Sequence, residues 1–306
     1  MQTTISKTLT FHDVGLHSGA DVTLRMIPAG VDHGIWIKRT DIEIGETLIP
    51  ARWDRVEQSP LCTKLIGDHG VDVSTIEHVM AALAGCGVHN VLIEVDGPEF
   101  PILDGSAVPF VREILSAGVM PLDKPIQAIR ITKPVEFRTD TGWARFEPAD
   151  APEMSFHIEF ADEAIGVQSK SMNLSNGSFV RELCDSRTFC RNSDVEIMRA
   201  NGLALGGTLE NAVVVDGDKV LSPGGLRHAD EAVRHKMLDA LGDIALAGAP
   251  IIGRYVGHRA GHAITNMLLR TLFSQRDAFE IITCDSALAA ILPGAGAHLD
   301  EVCAVA

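Results

Sequence analysis

The sequence predicts two α+β domains of similar size. The chain has 306 residues, and a domain usually takes about 150. Strand-like and helix-like segments occur in similar amounts on both sides of Gly118–Pro125, a stretch with one glycine and two prolines. We therefore expect an N-terminal domain over residues 1–122, a C-terminal domain over residues 126–280 and a peripheral tail over residues 281–306.

The elements of the N-terminal half follow from hydrophobic patterning. Asp21–Ile27 alternates between apolar and polar residues, which predicts a half-buried strand, and the apolar run Val91–Val95 is typical of a buried strand. Ile76–Leu83 carries its apolar residues on one helical face. Ser106–Ser116 begins with a capping serine and is followed closely by a glycine, which predicts a second helix.

The C-terminal half shows the same mixture. Ala128–Ile131 and Ser155–Phe160 alternate as strands do. Glu231–Ala247 and Ala263–Phe273 have helical spacing over longer stretches. Each half is therefore expected to combine sheet and helix.

The composition excludes several classes of function. Lys and Arg total 26 against 41 Asp and Glu, so the formal net charge is −15, and no basic block occurs. Binding to nucleic acid is therefore not expected. An anionic substrate would need a local cationic pocket inside a repulsive field.

The compartment follows from apolar runs and cysteines. The longest apolar stretches are about ten residues, half of the roughly 20 that a membrane span needs, and no signal-peptide pattern is visible. None of the six cysteines forms a C-x-x-C pair, which argues against a zinc ribbon or a thioredoxin-like site. We expect free thiols in a reducing cytoplasm.

The first group that could carry chemistry is Glu77-His78. Both residues point away from the apolar face of their predicted helix. A structural explanation is also available, because Ser74 with Glu77 three residues later makes a capping box. The sequence alone leaves both interpretations open.

The second group lies on one face of the predicted helix Glu231–Ala247. His235, Asp239 and Asp243 are spaced four residues apart, and Lys236 stands beside them. A His and an Asp on adjacent turns suit zinc, whose catalytic sites take three protein ligands and leave a position for water. The alternative is an exposed face of salt bridges.

The third group is His258 with His262. Their spacing could chelate a metal on a helix, but Gly261 interrupts the pattern and the helical residues begin only at Ala263. We therefore favour a single catalytic histidine just before a helix. Together the three groups supply metal ligands, an acid and a base, which is the minimum for metal-assisted hydrolysis.

Longer motifs then resemble the UDP-3-O-acyl-N-acetylglucosamine deacetylase family. The resemblance runs in order from about residue 2 to about residue 275. The motifs are Gly15–Gly19, Thr75–His78 with Ala81–Gly85, Pro101–Ala107, Ser186–Phe189, Val233–Asp243 and Gly261–Ala263. The resemblance implies an amidase of lipid A synthesis, with a mixed sheet and helices in each domain and the active site between the domains.

The resemblance also implies the site residues. One catalytic Zn²⁺ would be bound by His78, His235 and Asp239. Glu77 would be the general base, and His262 the general acid, oriented by Asp243. The remaining implied residues are Thr188 near the developing oxyanion, and Lys236, Phe189, Cys62 and Phe160 at the substrate.

The implied substrate is a UDP-linked, 3-O-acylated N-acetylglucosamine, and we expect a monomer. The segment Val195–Leu209 is apolar without a simple core periodicity, as expected of an insert that lines an acyl channel. Cys190-Arg191 departs from the family pattern beside that channel, and His228 stands where an aromatic residue is usual.

Two other functions fit the same residues. A zinc-stabilised protein that binds a carbohydrate or nucleotide without turnover would keep the ligands but would not need a competent Glu77 and His262. A metal deacetylase for a simpler acetylated sugar would lack an apolar groove. Acetate release from substrates with and without the 3-O-acyl chain separates these possibilities.

Overall fold

The computed structural model describes residues 1–302 except residues 44, 46 and 60. It confirms the predicted α+β class, because mixed and antiparallel sheets pack against helices. Residues 303–306 of the predicted tail lie outside the described residues. Among the residues that are described, none belongs to a helix long and apolar enough to span a bilayer.

The N-terminal half is built around a five-stranded sheet. The strands of this half are β1 (Thr3–Ile5), β2 (Leu9–Val14), β3 (Asp21–Pro28), β4 (Ile35–Arg39), β5 (Leu48–Pro50), β6 (Val56–Glu57), β7 (Lys64–Ile66), β8 (Asp72–Val73), β9 (Val91–Val95) and β10 (Val119–Pro121). The helices of this half are α1 (Glu77–Gly85) and α2 (Val108–Ala117). The sheet order is β2-β3-β9-β4-β5, with β4 and β9 parallel. Strands β6, β7 and β8 form a separate antiparallel sheet.

The alternation of apolar and polar residues along the strands decides which face of this sheet is buried. In β3, Leu24 and Met26 are fully buried, whereas Arg25 between them is exposed. Helix α2 covers the apolar face. The ring of Phe110 in α2 packs against the ring of Phe11 in β2, with the two centroids 4.8 Å apart. The sheet therefore buries one face and leaves the other to solvent.

The C-terminal half is built around a seven-stranded sheet. The strands of this half are β11 (Gln127–Ile131), β12 (Val135–Arg138), β13 (Trp143–Glu147), β14 (Pro152–Glu159), β15 (Val167–Asn173), β16 (Phe189–Arg191), β17 (Val213–Asp216), β18 (Lys219–Val220), β19 (Ile251–His258) and β20 (Phe279–Thr283). Its helices are α3 (Ser178–Glu182), α4 (Asn192–Ala200), α5 (Glu231–Ala245), α6 (His262–Ser274) and α7 (Ser286–Ala289). Short 3₁₀ turns cover Trp53–Arg55 and Leu299–Glu301.

Strand β19 is the centre of this sheet. The path β12-β13-β19-β11-β20 is joined by β14, which pairs in parallel with β19 and antiparallel with β15. Helix α5 lies against β14 and β15, and α6 lies against β12 and β13. Strands β16, β17 and β18 form a small separate sheet.

Helices α1 and α5 pack directly on each other. Gly242 of α5 makes this approach possible, because a Cβ at that position would lie 2.1 Å from the carbonyl oxygen of Glu77. At the other end of α1, a Cβ on Gly85 would lie 1.9 Å from the ring of Phe179. The helix that begins at Glu77 is thus held by close contacts with elements from the C-terminal half.

Two segments differ from the sequence expectation. Part of the expected linker is strand β10, which pairs antiparallel with β1 and brings the start of the chain beside the end of the N-terminal half. Helix α4, Asn192–Ala200, overlaps the start of the expected acyl-channel insert Val195–Leu209. Each element depends on tertiary contacts rather than on a long periodic pattern. The domain boundaries remain predictions.

Candidate active site

Three metal-capable side chains meet where α1 crosses α5. His78 comes from α1, and His235 and Asp239 come from adjacent turns of α5. Asp239 Oδ1 lies 3.2 Å from Nε2 of His235 and 3.7 Å from Nε2 of His78. One potential ligand atom from each residue lies within 4.8 Å of the other two, and all three residues are buried. The alternative of an exposed face of salt bridges on α5 is wrong, because His235, Asp239 and Asp243 are buried.

The donor set fits a zinc ion. Asp239 Oδ1 is buried and has no hydrogen-bond partner, although an unsatisfied buried carboxylate oxygen is costly. His235 Nδ1 contacts the Ser186 carbonyl oxygen at 2.9 Å, which directs Nε2 toward the cluster. Two imidazole nitrogens and one carboxylate oxygen are ligands that zinc prefers.

The electrostatic environment keeps these three side chains in the protonation states that can bind a metal ion. Burial lowers the pKa of His78 to about 3 and also lowers the pKa of His235, so both rings are neutral and keep a lone pair near neutral pH. Burial alone would raise the pKa of Asp239, but its interactions with His235 and with the positively charged Lys236 lower it overall. Lys236 Nζ donates to Asp239 Oδ2 at 2.8 Å.

Glu77 lies beside these donors with its carboxylate buried. Its Oε2 accepts a hydrogen bond of 3.1 Å from the backbone N–H of Thr63, and no side-chain cap was found at the start of α1. The capping-box interpretation is therefore wrong. Burial raises the pKa of Glu77 to about 7, although the charge of His262 lowers it in part.

His262 faces Glu77 from the first residue of α6. Its Nε2 lies 3.7 Å from Glu77 Oε1, and its Nδ1 lies 2.9 Å from Asp243 Oδ2. Burial lowers the pKa of His262, but the charges of Asp243 and Glu77 raise it more, to about 9. His258 lies on β19 rather than on α6, so the two histidines do not form a helical chelating pair.

Thr63 connects the two groups that face each other. Its hydroxyl donates to Asp243 Oδ1 and lies 3.2 Å from His262 Nδ1, while its N–H donates to Glu77. Thr63 is buried. A single residue therefore fixes the carboxylate of Glu77 and the side chains behind His262.

A pocket of about 730 Å³ opens over this group. Phe160 and Phe189 meet edge to face in its wall, with ring centroids 5.4 Å apart. Other predicted residues in the lining are Glu77, His78, Thr188, His235, Lys236, Asp239 and His262. A pocket with apolar walls and a few convergent polar groups is typical of a ligand site.

The apolar part of the wall comes from the expected insert. Val195 and Met198 of α4, and Ala204 and Leu209 after it, line the pocket. Cys190-Arg191 lies in the same lining, where Arg191 is bonded to Asp194 at 2.8 Å. Part of the segment that lacks core periodicity therefore lines the pocket, and its role as an acyl channel remains a prediction.

Two predicted residues lie just outside the lining. Asp243 is buried behind His262. Cys62 is buried with its Sγ 3.7 Å from Ser59 Oγ, and its neighbour Leu61 reaches the pocket. Burial raises the pKa of the Cys62 thiol to about 11.

Comparison with known proteins gives the family. The family model of the UDP-3-O-acyl N-acetylglycosamine deacetylases, LpxC, matches residues 2–274. The chain belongs to this deacetylase family. UDP-3-O-acyl-N-acetylglucosamine deacetylase of Shewanella frigidimarina (strain NCIMB 400) is 44% identical over 304 residues, covering 97% of this chain and 99% of that protein. The enzymes of that name from Shewanella sp. (strain W3-18-1) and Shewanella oneidensis are 45% and 43% identical, over 92% and 96% of this chain and 92% and 97% of theirs.

Two residues at this candidate site are not among the site residues that the sequence predicts. Thr63 is the chain neighbour of Cys62 and belongs to none of the family motifs. His17 was noticed only within a glycine-containing motif, yet it lines the pocket, and both of its ring nitrogens are buried without a hydrogen-bond partner. The glycines around His17 were the available signal, whereas nothing local distinguishes Thr63.

Proposed function

We propose that this chain hydrolyses the N-acetyl group of UDP-3-O-(3-hydroxyacyl)-N-acetylglucosamine, releasing acetate, in lipid A biosynthesis, and that it requires zinc. Family membership supports the reaction. The observation that carries the zinc requirement is the unpartnered Asp239 Oδ1 between two buried neutral imidazoles. The proposal applies to a cytoplasmic monomer, and the free thiols of Cys62, Cys86 and Cys284 agree with a reducing compartment.

His78, His235 and Asp239 would hold the metal ion. Zinc supplies Lewis-acid polarisation and makes hydroxide accessible near neutral pH. The bond from Lys236 Nζ to Asp239 Oδ2 leaves Oδ1 directed at the two rings. Lys236 thereby also places a positive charge in the pocket, where a diphosphate needs one in a protein of net charge −15.

Glu77 and His262 are proposed to move the two protons of the hydrolysis. Glu77 Oε1 accepts a proton from the attacking water, because its other oxygen is held by Thr63 N–H. His262 Nε2 donates a proton to the departing nitrogen. Asp243 holds Nδ1 of the same ring and stabilises the protonated form.

The remaining residues are proposed to bind substrate and stabilise charge. Thr188 is fixed between Gly105 and Val213 by backbone hydrogen bonds of 2.7 and 2.8 Å, so its side chain has a set position in the pocket. It would donate to the developing oxyanion. Phe189 and Phe160 line the pocket and would contact the substrate, and Cys62 would lie near it beside Leu61, which also lines the pocket.

The apolar wall of the pocket is proposed to hold the 3-O-acyl chain. Residues of α4 and the following loop supply this wall. Burial contributes about 0.8 kcal/mol per methylene. An acylated substrate should therefore be turned over with a much higher kcat/KM than UDP-N-acetylglucosamine.

Acetate release tests the proposal directly. We expect wild-type protein to release acetate from the acylated substrate, to lose activity after chelation and to regain it with Zn²⁺. His235→Ala should lose both bound zinc and activity, whereas His12→Gln, at an exposed position of β2, should keep both. Equal kcat/KM with and without the acyl chain would contradict the acyl site, and full activity in metal-free protein would contradict the zinc requirement.

A further inference from the structure

Two histidines lie side by side on the outer face of the seven-stranded sheet. His157 of β14 and His258 of β19 are register partners in the parallel pair, so their side chains share one face. Their rings stack with centroids 4.8 Å apart and an angle of 17° between planes. Glu159, two residues after His157, lies on the same face and contacts His157 Nε2 through Oε1 at 2.9 Å.

The geometry brings three donors within reach of one ion. One ligand atom from each of His157, Glu159 and His258 lies within 4.8 Å of the other two. Ligands about 2.1 Å from a tetrahedral ion are separated by about 3.4 Å. The contact between His157 and Glu159, at 2.9 Å, is shorter than that separation, so these two atoms would move apart by about 0.5 Å around an ion. Both rings are only partly buried, and the stacked ring of His258 would have to turn toward the ion.

We propose that His157, Glu159 and His258 form a second metal site, which takes a transition cation such as Zn²⁺. Two imidazoles with one carboxylate suit this class of ion, whereas Mg²⁺ and Ca²⁺ prefer sets of oxygen ligands. The site shares no residue with the group of His78, His235 and Asp239. It goes beyond the proposed hydrolysis and does not depend on it.

The surrounding charges shape the site. Arg259 Nη1 lies 3.5 Å from Glu159 Oε2, which leaves Oε1 directed at His157. Trp143 stacks on the other side of His258 at 5.6 Å and restricts its ring. The guanidinium groups of Arg138 and Arg145 lie over Trp143, at 5.1 and 5.3 Å from its centroid. These positive charges disfavour any cation, so binding here would depend on the strength of the imidazole and carboxylate bonds to the ion.

The site lies close in the chain to two residues that line the active-site pocket. Glu159 ends β14 and is followed by Phe160, and His258 ends β19 three residues before Gly261. Phe160 and Gly261 both line the pocket. An ion here would join the ends of the two strands that lead into the pocket wall and into α6.

Zinc binding at equilibrium tests the proposal. The full-length protein without an affinity tag is loaded with zinc, dialysed against micromolar free Zn²⁺ and assayed by elemental analysis. The variants are His157→Asn, His258→Gln and, as a matched control at an exposed histidine, His12→Gln. Thermal unfolding of each variant checks that it is folded.

We expect two equivalents of zinc in wild type and in His12→Gln, and one equivalent in His157→Asn and in His258→Gln. The two site variants should keep acetate release, because the catalytic donors are untouched. A single equivalent in wild type would overturn the second site. Two equivalents retained in folded His157→Asn and His258→Gln would overturn it as well, by placing the second ion elsewhere.

Discussion

Thr63 occupies a position that no other described residue shares, because it bonds to both sides of the proposed proton-transfer pair. Its N–H holds Glu77, and its hydroxyl holds Asp243, which in turn holds His262. Only the hydroxyl bond depends on the side chain. Substitution can therefore separate the two functions of this residue.

We expect Thr63→Val to lower kcat with little change in KM. Loss of the hydroxyl leaves Asp243 Oδ1 buried without that donor, at a cost of about 1–3 kcal/mol, and loosens the carboxylate that orients His262. Thr63→Ser keeps the hydroxyl and should restore most of kcat. Steady-state kinetics of both variants are the measurement. Equal kcat in Thr63→Val and wild type would show that Thr63 contributes only to folding.

Glu77→Gln tests the proposed base. The amide retains an acceptor for the Thr63 N–H and the approximate shape of the carboxylate, but it cannot take a proton from water. We expect bound zinc and the melting temperature to be preserved while kcat falls by about 10²–10⁴-fold. Elemental analysis and acetate release measure the two effects, and near-normal turnover would remove Glu77 from the mechanism.

The sequence predicted the catalytic candidates better than it predicted their surroundings. The ligand positions on α5 follow from spacing within one helix, so His235 and Asp239 could be paired from the sequence. The bond between Thr63 and Asp243 spans 180 positions, and no local pattern encodes it. A polar helix face also looks the same whether water or another helix covers it, which is why the burial of Glu77 and His78 could not be deduced.

At the scale of elements, the crossing of α1 and α5 sets the distance between the metal donors. In a helix interior Ala is normally favoured over Gly by about 1 kcal/mol. Gly242→Ala should instead lower the free energy of unfolding, because the new methyl group would clash with the backbone of Glu77. We expect lower stability and weaker zinc binding, since separating the helices moves His78 away from Asp239.

Chemical denaturation and zinc titration measure the effect of Gly242→Ala. Gly30→Ala is the control, because a Cβ at Gly30 has no atom within 4 Å. That control should stay within about 0.5 kcal/mol of wild type, as surface substitutions usually do. Unchanged stability and zinc affinity in Gly242→Ala would mean that the two helices tolerate a wider spacing.

Element prediction succeeded where the pattern was strong and local. Val91–Val95 is β9 with the expected bounds, and the helix expected over Glu231–Ala247 is α5 from Glu231 to Ala245. Helix α4 was missed because none of its residues is buried, so it has no apolar stripe facing a core. The sequence predicts a linker where the structure has strand β10, because β10 is stabilised by its long-range pairing with β1, which no local pattern encodes.

At the scale of the whole molecule, stability should fall in mild acid through His89. Burial lowers the pKa of His89 from 6.5 to about 4, and its Nδ1 lies 2.8 Å from Thr3 Oγ1. The unfolded chain binds the proton more strongly, so the stabilisation is complete above pH 6.5 and is lost as the pH falls toward about 4. The free energy of unfolding at several pH values in this window measures the effect.

His89→Gln removes this titration and should make the free energy of unfolding less dependent on pH over the same window. His12→Gln, at an exposed position, should retain the wild-type slope. Identical slopes in wild type and His89→Gln would show that other groups cause the acid sensitivity.

The contact between α1 and α5 also orders events during synthesis. His78 and Asp239 lie 161 positions apart in the chain, and they meet only when these two helices pack. At about 5–20 residues per second, a ribosome needs roughly 8–30 s to advance from one codon to the other. A nascent chain therefore cannot assemble all three donors until most of it has been translated. An ion that requires all three is captured only after that point, so we expect a fragment that ends before Asp239 to bind no ion at this site.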